Sequence, residues 1–174
     1  IGGISNGTYL DGNNIKIATD IGPGNCLIDL VAMRHFGIPF DEDGKIASKG
    51  QINEQILDNL LEKIRAAGYP RADDKSFYYS LNELNSDKPE NLLTTLSELT
   101  AICISDFCNT FDEPHEILLH GGGAKNNFLL ERLEKNIGSS LKLTDHIISA
   151  KFLESAAFAY LAFLEKGLLI EPRL

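Results

Sequence analysis

A chain of 174 residues, 43% hydrophobic and 24% charged, is long enough for one well-packed domain. Its net charge of −9 argues against nucleic acid as the main partner, because phosphate backbones want a basic surface. A small phosphate ligand held by backbone amides remains compatible with that charge. Cys26, Cys103 and Cys108 form an odd set without a CxxC pair, which argues against a disulfide framework or a zinc site. They point to a reduced, cytoplasmic compartment, and no apolar run is long enough to span a membrane.

Ile1-Gly2-Gly3-Ile4 runs straight into what reads as a strand over residues 1–10, with no initiator Met, so the sequence reads as a piece of something longer. Asp11-Gly12-Asn13-Asn14 is a hairpin turn, and residues 15–19 are its antiparallel partner, with Ile15 and Ile17 on one face. Then comes Asp20-Ile21-Gly22-Pro23-Gly24-Asn25. Asp20 stands where a strand ends and a tight turn begins, and the turn presents backbone N–H groups to its surroundings. From spacing alone, Asp20 is equally a solvated residue of an ordinary connector and a carboxylate offered to a ligand.

Residues 26–36 read as a helix that stops at Gly37, with Pro39 beyond. Asp41-Glu42-Asp43-Gly44-Lys45 lacks the alternating ligands and distal Glu of an EF-hand, so no calcium loop is expected. Ile52, Ile56, Leu60, Leu61 and Ile64 mark an amphipathic helix ending at Gly68. Residues 69–89 read as an irregular surface excursion whose cluster Phe77-Tyr78-Tyr79 either packs or walls a pocket. Leu92, Leu96, Leu99, Cys103 and Phe107 line one face of a long helix. Residues 116–119 are a short strand running into Gly121-Gly122-Gly123 and a helix with Phe128, Leu129, Leu133 and Ile137 inward. A strand over residues 141–144 and a helix over 152–164 complete the order; the last is apolar nearly all round and is expected to be buried.

The succession implies an α/β domain, a mixed sheet flanked by helices, without an internal linker. Three glycine-bearing turns, at Gly2-Gly3, Gly22-Pro23-Gly24 and Gly121-Gly122-Gly123, bound its strands. Such turns let amides and helix N-termini face an anion or nucleotide, although none matches a Walker A pattern. His115 and His120 bracket a strand at a spacing that points them to opposite faces, wrong for a shared metal, and there is no GxSxG nucleophile. Glu154, the only charge between Phe152 and Glu165, is either paired or facing a site.

The residues Ile1-Gly2-Gly3-Ile4-Ser5-Asn6, Asp20-Ile21-Gly22-Pro23-Gly24-Asn25, Leu96-Ser97-Glu98-Leu99-Thr100-Ala101, Gly121-Gly122-Gly123-Ala124-Lys125-Asn126 and Leu153-Glu154-Ser155-Ala156-Ala157-Phe158-Ala159, taken in this order, resemble the anhydro-N-acetylmuramic acid kinases. That family belongs to the sugar kinase and actin-like ATPase superfamily, so the resemblance implies a ribonuclease H-like lobe. It implies an enzyme that opens the 1,6-anhydro ring of a cell-wall amino sugar with water while moving the ATP γ-phosphoryl group to O6, in peptidoglycan recycling.

By the same resemblance Asp20 is the catalytic base, and Gly22, Gly24 and Asn25 hold the sugar. Glu154 is grouped with these substrate-binding residues. Gly2 and Gly3 approach the ATP phosphates, while Gly121, Gly122, Gly123 and Asn126 line the adenosine site. Mg²⁺ is expected with ATP, no metal-binding side chains are assigned, and a homodimer is left open. The chain departs from the family in three places. The N-terminal lobe with its phosphate loop is absent, and the sequence ends before the family's Thr-Gly-Ala stretch. The family's Pro-Lys-Ser-Thr-Gly-Arg segment appears as Asp74-Lys75-Ser76-Phe77-Tyr78-Tyr79. Residues 1–174 are therefore expected to be the C-terminal lobe of a two-lobed kinase, inactive alone. The alternative is a non-catalytic, degenerate lobe retained for sugar binding or dimerisation.

Overall fold

The computed structural model describes residues 1–81, 88–111, 116–138, 141–144 and 150–164; in the last segment, side chains are described at 152, 155–160 and 162. Strands β1 (Ser5–Asp11) and β2 (Asn14–Gly22) form an antiparallel hairpin. Helix α1 (Cys26–Phe36) has the bounds read from its apolar spacing, and Gly37, in the left-handed region at φ 67°, ends it as expected. Helices α2 (Glu54–Arg65), α3 (Lys75–Tyr79) and α4 (Pro89–Asn109) follow. Strand β3 (Ile117–Leu119), helix α5 (Asn127–Ile137), strand β4 (Leu141–Leu143) and helix α6 (Ala150–Leu164) complete the described chain.

The α/β class stands, and both strand senses occur. Among the described residues β1–β2 is an antiparallel pair and β3–β4 a parallel pair. Ile1 joins the two: its nitrogen donates to the His120 carbonyl (2.5 Å), and its carbonyl accepts from Gly123 N–H (3.0 Å). The regular strand begins only at Ser5, because residues 1–4 use their backbone groups on the glycine turns described below.

Helix α4 is the axis of the packing, contacting α1, α2, α5 and both strands of the hairpin. Leu92, Leu96, Leu99, Cys103 and Phe107 are all buried, as their spacing predicts. Its opposite face is polar and buried too, so each group there has a fixed partner. Thr94 donates to Ala47 O, and Glu98 pairs with Arg132 and accepts from Asn136 Nδ2 (3.1 Å), which fastens α5. Helix α2 starts at Asn53, whose side chain accepts from Ile56 N–H (3.1 Å) while its own N–H donates to Thr95 Oγ1 (2.9 Å).

Helix α6 corrects the expectation of a buried helix. Phe152 is 59%, Phe158 73% and Tyr160 61% exposed. Apolar composition marks a surface suited to covering, and here the described part of that surface faces solvent.

Candidate active site

Asp20 lies opposite Asn6 in the hairpin register, near the end of β2. Asn6 Nδ2 donates to its Oδ1 at 2.9 Å, and the Asp73 backbone N–H donates to its Oδ2 at 2.7 Å. Both carboxylate oxygens are thus held by nitrogen donors while the residue stays partly exposed. Two hydrogen bonds leave lone pairs on each oxygen for a further partner. Such a group is aimed and can still accept a proton.

The donor from Asp73 comes from the segment expected to be an irregular excursion. Residues 71–73 run alongside β2 instead: Asp20 N–H donates to Arg71 O (3.1 Å), and Arg71 N–H donates to Thr19 Oγ1 (2.7 Å). The Arg71 side chain is 8% exposed. It donates from Nη1 to Ile64 O (2.7 Å) and from Nη2 to Ile21 O, and its Nε lies 3.0 Å from Asp73 Oδ2 without hydrogen-bond alignment. Tyr78, fully buried, donates to the same carboxylate. Burial, then that hydrogen bond, push its phenol far above the ordinary range. The aromatic cluster therefore packs inward through Tyr78, with Phe77 and Tyr79 half-exposed.

The three glycine turns meet. Asn25 donates to Gly2 O from its backbone (2.9 Å) and from Nδ2 (3.1 Å), and Cys26 N–H donates to Gly3 O (2.9 Å). Gly24 has φ +51°, and a Cβ there would sit 2.5 Å from Gly2 O. Gly121 has φ +93°, and its Cβ would sit 2.6 Å from Ile1 O. Close approach and positive φ both demand glycine at these two places. Thr100 of α4 donates to Gly24 O (2.7 Å) and braces the turn from behind. Gly22 is buried against Cys103, so Gly22 and Gly24 shape the turn while Asn25 stands at its surface.

A cavity of about 430 Å³ opens beside this junction, walled by Asn25, Asp29, Gly122, Gly123, Asn126 and residues 40–43. Its size is in the range of small-molecule sites. The loop rejected as a calcium site supplies one wall: Asp41 accepts from Ile46 N–H (2.9 Å) and Ala47 N–H (2.8 Å), fixing it. Asn126 caps α5 by accepting from Leu129 N–H (3.0 Å). Burial raises the pKa of the Asp29 carboxyl, and the Lys75 charge pulls it back. Asp20, Gly2, Gly3, Gly22 and Gly24 are outside this cavity, and the Glu154 side chain and His115 lie outside the described residues. No group of three or more His, Cys, Asp or Glu gathers as a metal set among the described residues.

Sequence reasoning missed Asn6 as the partner of Asp20, and Arg71, Asp73 and the 41–43 wall. The signals present were a lone Arg and an aromatic cluster in a polar stretch; neither names its partner. One pair of glycines tests the junction. A Cβ at Gly122 meets nothing within 4 Å, whereas one at Gly123 would lie 2.4 Å from Ile1 Cγ2 and 2.9 Å from Asn25 Nδ2. Gly123→Ala should cost about 1–3 kcal/mol of stability. Gly122→Ala should stay within about 0.5 kcal/mol, as surface changes do. Urea unfolding of both variants reads the difference, and equal effects would contradict the packing described.

The family model of the anhydro-N-acetylmuramic acid kinases matches residues 1–168. A protein of that name from Haemophilus influenzae is 33% identical over 184 residues, covering 94% of this chain and 48% of that protein. One from Legionella pneumophila is 36% identical over 171 residues, covering 93% of this chain and 46% of that protein. The chain thus spans about half the length of the curated relatives it matches. Among solved structures, the activator of the 2-hydroxyisocaproyl-CoA dehydratase from Clostridium difficile, with bound ADPNP, superposes with a TM-score of 0.56 at 15% identity. The match covers all of this chain and 63% of that one. At that identity it speaks to the fold alone, an α/β lobe of small sheets flanked by helices. No helix among the described residues is long and apolar enough to cross a membrane.

Proposed function

The chain belongs to the anhydro-N-acetylmuramic acid kinase family, and from that premise we propose that it is one lobe of a cytoplasmic kinase acting on 1,6-anhydro-N-acetylmuramic acid. The second lobe is the half of the relatives that this chain does not span. The observation that carries the reading is the Asp20 carboxylate, held at both oxygens beside three interlocked glycine turns.

Asp20 takes a proton from water, and the oxygen of that water attacks the anomeric carbon from the face opposite O6. The C1–O6 bond breaks as in an inverting glycosidase, and O6 becomes the acceptor for the phosphoryl group. ATP supplies that phosphoryl group, and Mg²⁺ bound with it would neutralise the charge on the phosphates, with no side chain among the described residues assigned to hold it. The nucleoside fits the cavity beside Gly122, Gly123 and Asn126, where the absence of a side chain at Gly122 leaves open space. Gly2 and Gly3 face its phosphates, and Gly121, just before the cavity wall, is assigned to the adenosine site with its two neighbours. Asn25, which walls that cavity at the end next to the Asp20 turn, is assigned to the sugar where the two ligands meet, with Gly22 and Gly24 shaping its turn, and Glu154 is assigned to the sugar as well. Asn6 and the Asp73 amide are positioning groups, since each donates to the base.

The departure at residues 74–79 favours a second reading, a lobe that binds sugar or dimerises without turnover. The discriminating assay is ADP release by the two-lobed protein, with and without the anhydro sugar. The kinase reading expects release that requires the sugar. Sugar binding without ADP release would favour the non-catalytic lobe.

A further inference from the structure

The segment that holds Asp20 also carries a cation to the glycine turns. Directly after Asp73, Asp74 accepts from Ser76 N–H (2.8 Å) and starts α3, with Lys75 as its first residue. The Lys75 side chain lies back across Gly3: a Cβ at Gly3 would come within 2.5 Å of Cε and 2.7 Å of Nζ. A side chain at position 3 would therefore displace the lysine. Among the described residues no carboxylate lies within 4.0 Å of Nζ. Lys75 is exposed, and its ammonium, laid over the crossing of residues 2–3 with Asn25 and Cys26 in a chain of net charge −9, is placed to meet an anion arriving there. Its charge is felt at Cys26 and Asp29, on the first turn of α1.

We infer that Lys75 engages the phosphoryl group lying against Gly2 and Gly3, so that one rigid segment sets both the base and the phosphate cation. This rests on the kinase reading and deepens it. The lysine donates to a non-bridging phosphoryl oxygen and balances the charge there; it neither gains nor loses a proton in the step. Arg71, locked to Ile21 and Ile64, is the anchor that keeps the two groups at a constant separation.

Two measurements test it. In the two-lobed protein, Lys75→Met should lower kcat/KM for ATP by about 10²–10³-fold, the cost of removing one preorganised charge-stabilising donor. Sugar affinity should stay within about twofold, and Lys75→Arg should recover at least about tenfold, since it restores the charge. Equal losses in ATP and sugar parameters, or no recovery with Arg, would make Lys75 structural and overturn the inference. The second measurement needs no turnover: acylation of Lys75 by an amine-reactive ester, quantified by mass spectrometry. ATP or tripolyphosphate should protect it and adenosine should not. Activity with unprotected Lys75 overturns the inference and keeps the kinase. Protection without activity overturns the kinase and keeps an anion site. Neither activity nor protection overturns both.

Discussion

Replacing Asp20 by asparagine in the two-lobed protein should lower kcat by about 10³-fold or more, since a positioned general base is worth 10²–10⁴ and an amide cannot replace it. Asparagine is the informative choice. Its Oδ1 can still accept from the Asp73 N–H, and Asn6 can turn its amide to present oxygen to the new NH₂. The fold and the ligand contacts should therefore survive, with ATP affinity and unfolding midpoint close to wild type. Alanine would remove both anchors and mix a structural effect with the chemical one. A variant that keeps activity within about tenfold would remove Asp20 from the role of base.

The second large effect is on stability. Arg71 and Asp73 are 8% and 10% exposed, and Arg71 also satisfies the Ile64 and Ile21 carbonyls. Arg71→Ala takes the balancing charge from a buried carboxylate that keeps only the Tyr78 hydroxyl as donor, and removes the side-chain donor to the Ile21 carbonyl, which should cost about 3–5 kcal/mol. With a urea m-value of about 2 kcal/mol/M, the midpoint should fall by about 1.5–2.5 M. Lysine should rescue little, because a single ammonium cannot reach several acceptors spread across a planar fork. Pairing the change with Asp73→Asn should restore part of the loss, since no buried charge then stands alone. A midpoint shift below about 0.5 M for Arg71→Ala would show that the knot is not a structural anchor. The same variant should also impair turnover beyond its stability effect, because the Asp73 N–H that aims Asp20 belongs to the anchored segment.

The parts of this arrangement that were legible in the sequence are local ones. Helix α1 could be read to its bounds because Leu27, Val31 and the glycine stop at Gly37 report only their own neighbourhood. Asp20 at a strand end and the glycine turns were equally readable, because turn chemistry is written in a few adjacent residues. What could not be read was contact across long separations. The partner Asn6 depends on the hairpin register, which shifts between Ser5 and Asn6. The Asp73 donor comes from 53 residues away, brought in by a buried arginine that composition would assign to the surface. The exposed face of α6 failed for a related reason: an apolar stripe says that something covers it and not whether that partner lies in the same chain. The loop at 41–43 was judged for calcium and rejected, and its use as a cavity wall follows only from the Asp41 hydrogen bonds that fix it.

An oxygen label traces the proposed chemistry: the two-lobed protein is given the anhydro sugar and ATP in ¹⁸O-labelled water, and the mass of the product locates the water oxygen. The expected product is a sugar 6-phosphate carrying one heavy oxygen at C1 and none in the phosphate, because water attacks carbon and O6 attacks phosphorus. Heavy oxygen in the phosphate, or ATP hydrolysis with the anhydro ring intact, would contradict that chemistry.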